Sequence, residues 1–148
     1  MFYILYLDTD MLFNEVCECV INYFADNGEV LKNTEEELII STDGLTLSLK
    51  QRGKNILFAN DDYEATYTCF FWIDVIGSYS DWANDLMLFV NNILKKFKGD
   101  CVLESNGEKP FVMRKSGKLY VDKELGGSEE FPFYLLEFEY QENELKRD

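Results

Sequence analysis

The chain reads as one α+β domain over residues 1–148, a curved antiparallel sheet with two helices packed on it. Three observations predict this class. Residues 2–7 form an unbroken aromatic and aliphatic run, as expected of a strand covered on both faces. Asp43-Gly44 and Asn106-Gly107 each separate two short β-type runs, which is the sequence form of a hairpin. Between these turns Trp82, Leu86, Phe89, Val90, Ile93, Leu94 and Phe97 recur at helical spacing.

Each element can be justified in order. After the first strand, Asp8-Thr9-Asp10 offers N-cap candidates and negative charge for a helix's positive end. Leu12, Val16, Val20 and Phe24, with Phe13, Cys17 and Ile21 beside them, make one buried stripe, and Asn27-Gly28 suits a left-handed cap. Residues 30–76 read as an antiparallel meander. Leu45, Leu47 and Leu49 share one strand face, and Arg52-Gly53-Lys54-Asn55 turns into a strand at Ile56-Leu57-Phe58-Ala59. Asn60-Asp61-Asp62 then forms an acidic loop before a long strand over 65–76. Ser78-x-x-Asp81 has the form of a capping box for the second helix. Lys95, Lys96 and Lys98 sit at that helix's negative end, and Gly99 stops it. Runs at 101–104 and 110–114 flank Asn106-Gly107, and Ser116-Gly117 leads into a last arm at 118–121. Residues 131–138 fit a short helix or an edge strand, and the tail 141–148 is expected to fray.

The charge is extreme: 28 acidic side chains against 14 basic ones give a formal net charge of -14. Because 47% of the chain is hydrophobic, it folds and carries this excess on its surface, unlike a disordered acidic tail. Such a surface repels phosphates and anionic lipids and attracts basic proteins or cations. Nucleic acid and membrane are therefore excluded as partners. No apolar run approaches the ~20 residues needed to cross a bilayer, and the N-terminus lacks the basic segment of a signal peptide. Histidine is absent, which removes the commonest general base and zinc ligand. Cys17, Cys19, Cys69 and Cys101 form no CxxC pair and read as reduced thiols of a cytosolic protein. No catalytic residue, cofactor or metal ligand is assigned.

The remaining candidates are weighed on the same basis. Asp8, Asp10, Asp61, Asp62, Asp81 and Asp85 lack the spacing of a calcium loop. Nothing marks any carboxylate pair for glycosidase-type chemistry, and Phe70-Phe71-Trp72 reads as core. The acidic clusters Glu35-Glu36-Glu37, Asp61-Asp62 and Glu129-Glu130, with Glu137, Glu139, Glu142 and Glu144, are either a solvated face or a surface that receives a cationic protein. As partner-binding residues, Asp61 and Asp62 come first, because a loop between strands presents them without disturbing the core. Glu129 and Glu130 follow, on a Gly-rich segment, and then Glu35, Glu36 and Glu37.

The segment 100–121, DCVLESNGEKPFVMRKSGKLYV, resembles the C-terminal signature of the SitI3-like family of bacterial immunity proteins. That signature has an aliphatic strand, an Asn-Gly-Glu turn, a second strand ending in Arg, and a short Gly-x-Leu arm after the second helix. Asn106, Gly107, Glu108 and Arg114 match it. The opening strand and helix are similar in kind, whereas the region after Gly127 is shorter and more acidic than the family pattern. The resemblance implies a small cytoplasmic protein that neutralises a polymorphic or contact-dependent toxin. A toxin that cuts tRNA or DNA is basic, so an acidic inhibitor suits its active site or substrate groove. The expected partner is thus a basic cognate toxin, a nuclease. The rival readings are an acidic adaptor or nucleic-acid mimic that sequesters a basic host protein, and a carboxylate-dependent hydrolase. The matched Asn-Gly turn is expected to serve the hairpin, not inhibition.

Overall fold

A computed structural model describes residues 1–125 and 131–147. The chain runs β1 (Phe2–Leu7), α1 (Phe13–Tyr23), β2 (Glu29–Asn33), β3 (Glu37–Ser41), β4 (Leu45–Lys50), α2 (Lys54–Tyr63), β5 (Cys69–Val75), α3 (Trp82–Lys96), β6 (Cys101–Ser105), β7 (Lys109–Lys115), β8 (Lys118–Asp122), a 3-10 turn at Phe133–Leu135, and β9 (Gln141–Asn143). The strands form one open sheet in the order β2-β3-β4-β5-β1-β6-β7-β8-β9, antiparallel throughout except where β9 runs parallel to β8.

The α+β class holds, with three helices in place of two. Residues 56–59, expected as a strand, lie inside α2, and Asp61 and Asp62 occupy its last turn instead of a loop. The reason lies in β1. Tyr3, Leu5 and Leu7 point into a core with Val16, Cys17 and Val20 of α1 and Leu86, Phe89, Val90 and Ile93 of α3. Ile4 and Tyr6 point the other way, with Phe70 and Val102 beside them. That second face also needs an apolar cover, and α2 supplies it with Ile56, Ala59 and Tyr63 at i, i+3 and i+7.

The expected caps fare differently. No side-chain hydrogen bond caps the Asp81 end of α3. At α1 the Leu12 N–H donates to Glu15 Oε1 (3.1 Å), while Asp8 accepts from the Thr66 hydroxyl (2.8 Å). Asn106 and Gly107 both have positive φ (53° and 73°), the primed turn that matches the twist of β6 and β7. Ser116 and Gly117 repeat it between β7 and β8. Asp43-Gly44 also joins two paired strands, held by the Thr42 hydroxyl accepting the Gly44 and Leu45 N–H groups (3.3 and 3.0 Å).

The end of α3 is fixed from the sheet. Arg114 of β7 is buried, and its guanidinium donates to the Leu94, Phe97 and Gly99 carbonyls (2.9, 2.5 and 2.9 Å). These are orphan acceptors at the negative end of the helix, so a planar cation with several donors answers both charge and geometry. Gly99 is required for space, since a Cβ there would lie 1.9 Å from the Asp8 carbonyl oxygen. The Asp8 N–H donates to the Asp100 carbonyl at the same crossing (2.9 Å).

The C-terminal segment, expected to fray, is drawn back along the sheet. Asn91 donates to the Glu137 carboxylate (2.6 Å) and accepts the Glu137 N–H (2.9 Å). β9 then pairs with β8, and the Leu145 N–H donates to the fully buried Asp122 (3.1 Å).

Replacing Arg114 with Ala removes the donor from three carbonyls, two of them in buried hydrogen bonds, and the loss is expected to be about 3 kcal/mol. Urea unfolding of parent and variant measures it. Lys at the same position, a point charge that cannot reach all three acceptors, should recover only part of the loss.

Candidate functional site

The acidic side chains chosen from the sequence divide into free and engaged ones. Glu35 and Glu36 are exposed in the turn between β2 and β3, where the Thr34 hydroxyl accepts the Glu36 and Glu37 N–H groups (3.3 and 3.1 Å). Glu37 starts β3 and is half-buried. Its carboxylate accepts from Ser48 (2.6 Å) and Lys32 (2.9 Å) and lies 3.5 Å from Lys50. The Ser48 hydrogen bond, with Lys32 and Lys50 adding to it, holds this carboxyl below its usual value of 4.5.

Asp61 is exposed on α2. Asp62, beside it, is ion-paired with Arg147 Nε (2.5 Å). Glu129 and Glu130 lie outside the described residues. Leu57 and Phe58, read from the sequence as strand residues, stand on the outer side of α2 at 69% and 62% exposure. Two large apolar groups therefore sit one turn from Asp61. Helical spacing would have shown this, because Ile56, Ala59 and Tyr63 already account for the buried side.

The sequence reading also missed a buried polar cluster under α2. Glu104 of β6 is fully buried. It accepts a hydrogen bond from the Tyr63 hydroxyl and two from Arg147 (2.8 and 3.1 Å). Burial pushes the Glu104 carboxyl up, while Tyr63 and Arg147 pull it down. Burial, with Glu104 beside it, also raises the Tyr63 hydroxyl above its usual value. The Arg147 guanidinium stacks over the Tyr63 ring, 5.8 Å from its centroid. The adjoining cleft of about 240 Å³ is lined by Asp62, Tyr63, Tyr67, Asp100 and Lys115, and Glu104 is not on its wall. The cluster joins tail, helix and sheet and presents no open pair of carboxylates.

Among the described residues no three His, Cys, Asp or Glu side chains converge as metal ligands. Burial pushes the Cys17 and Cys101 thiols up to about 11 and Cys69 up to about 12, where little nucleophilic thiolate forms. No helix of the described residues is long and apolar enough to cross a membrane.

Among the described residues the surface offers acidic groups in open turns and a partly apolar helix face. The SitI3-like family model matches residues 1–129, and the chain belongs to that family of immunity proteins. Neither curated proteins nor solved structures give a match. The match extends well beyond the segment 100–121. It stops before the 3-10 turn, β9 and Arg147, so the tail that reaches Glu104 lies outside the family pattern.

Glu37 should make stability sensitive to acid. A carboxyl whose folded pKa is depressed contributes stability that is present above its unfolded value and lost as pH falls through the folded value. Between pH 5 and pH 3 the parent should therefore lose more stability than Glu37→Gln. Denaturant unfolding at both pH values compares them, and equal losses would remove Glu37 from this role.

Proposed function

We propose that the protein is a non-catalytic cytoplasmic immunity protein that binds a basic cognate toxin, a nuclease, and covers its active site or substrate groove. Membership of the SitI3-like family carries the reading, and the net charge of -14 supports the chemistry of the partner. A nuclease domain holds its polyanionic substrate with Lys and Arg, and an acidic surface engages those same groups.

Asp61, Glu35 and Glu36 are the contacts this reading favours, with Leu57 and Phe58 as apolar anchors beside Asp61. Exposed aromatic groups of this kind, once buried, dominate interface energetics. Glu129 and Glu130 stay in the proposal on the sequence alone. Asp62 and Glu37 add to the field, but their carboxylates are already engaged within the fold. The hydrolase reading finds no support in Glu104, which is sealed beneath α2 and Arg147.

Co-expression with the toxin encoded beside its gene tests the proposal. The pair should co-purify, and the toxin should lose activity. Asp61→Lys combined with Glu35→Lys and Glu36→Lys should slow association about tenfold or more at low salt. The three positions are exposed, so stability should stay within about 0.5 kcal/mol of the parent. Raising salt should narrow the difference between variant and parent as the Debye length falls from ~10 Å at 0.1 M to ~3 Å at 1 M. A toxin bound equally fast by both proteins at low salt would remove the acidic surface from recognition.

A further inference from the structure

A groove of about 520 Å³ runs between α1 and the turn that joins β2 to β3. Its α1 wall is a strip at helical spacing, with Phe13, Cys17 and Ile21 as apolar lining and the exposed Glu18 beside them. Leu12, 67% exposed, closes one end. Glu35 stands on the opposite wall, with Gln51 beside it. Every charged residue that lines this groove is an acid, and neither Glu18 nor Glu35 is in a salt bridge among the described residues. The neighbouring cleft differs. There Lys32, Lys50 and Arg52 stand among Glu35, Glu36 and Glu37, and Glu37 is paired with both lysines.

An apolar lining shared with two carboxylates that make no salt bridge among the described residues has a specific complement, a long aliphatic stem that ends in a cation. Arginine answers best. Its methylenes cover apolar surface while its head remains at the rim. Its planar guanidinium can face two carboxylates at once, as a compact ammonium cannot. We propose that this groove is a socket for an arginine side chain of the partner, held by Glu18 and Glu35 over Phe13 and Ile21. The proposal rests on the reading of the protein as a binder of a basic toxin, and it adds where one anchoring side chain of that toxin sits. Arginine is also among the residues that concentrate binding energy at interfaces.

The socket can be tested without the toxin. N-acetyl-arginine amide is titrated into the labelled protein at physiological ionic strength and followed by backbone amide spectra. N-acetyl-citrulline amide, its neutral isostere, serves as control. The arginine probe should shift the amides of Glu18, Ile21 and Glu35 saturably, with a roughly millimolar dissociation constant as suits so small a ligand. Citrulline should leave them unmoved. The exposed double variant Glu18→Gln with Glu35→Gln should keep the parent spectrum elsewhere and bind the probe at least fivefold more weakly. Shifts that are absent, equal for citrulline, unchanged in the double variant, or spread evenly over the acidic surface overturn the socket. A toxin that co-purifies with a protein lacking the socket response would leave the immunity reading standing and sink this one alone.

Discussion

The fold depends on covering β1 from both sides. This strand is paired along both edges, with β5 and with β6, and its side chains alternate between two separate apolar cores. A strand in that position cannot have a solvated face, so helices must lie on opposite sides of the sheet. α1 and α3 close one layer with aromatic packing, as in the Phe71–Phe89 and Phe24–Phe89 ring contacts at 5.3 and 5.4 Å. α2, shorter and poorer in apolar residues, closes the other. The thinness of that second layer explains why a polar cluster lies beneath it. Ten helical residues leave part of the sheet face uncovered, and Glu104, Tyr63 and Arg147 fill it with mutually satisfied groups.

The three-helix arrangement was partly legible in the sequence. Residues 2–7 lack polar alternation, which calls for cover on both sides, yet two helices on one side cannot provide it. The missing element lay at residues 54–63, where Leu57 and Phe58 next to Ile56 imitate a strand of consecutive apolar residues. The long apolar stripe of α3 and the Asn-Gly turn were plain because each rests on local chemistry. Glu104 and Arg147 were not, since nothing local marks one carboxylate among 28 as buried. Their partnership joins residues 43 apart in the chain, from opposite sides of β7, β8 and β9 in sequence. Arg114 lay between these cases. It was visible as a motif position, but its work on the α3 carbonyls required the structure.

The same distinction sorts the candidate binding residues. Acidic clusters in sequence look alike, whereas the fold separates carboxylates engaged within the protein from those without an ion pair among the described residues. Glu37 and Asp62 are tied by cations of the same chain, and Glu35, Glu36 and Asp61 are not. Spacing along the chain cannot reveal that difference, because Arg147 lies 85 residues from Asp62. Glu18 shows the converse. It belongs to no acidic run, yet the packing of α1 sets it opposite Glu35.

The two ends of the sheet carry a consequence of another kind. Without β9, the outer edge of β8 would display unpaired N–H and C=O groups, a template on which a second chain could add a strand and seed aggregation. Three residues of β9, fastened by Leu145 on Asp122, blunt that edge at little length. At the opposite end β2 interrupts its own register between Val30 and Lys32, and its charged Glu29 and Lys32 discourage a flat approach. The protein can therefore present an adhesive surface to a foreign chain while its strand edges resist adhesion to copies of itself.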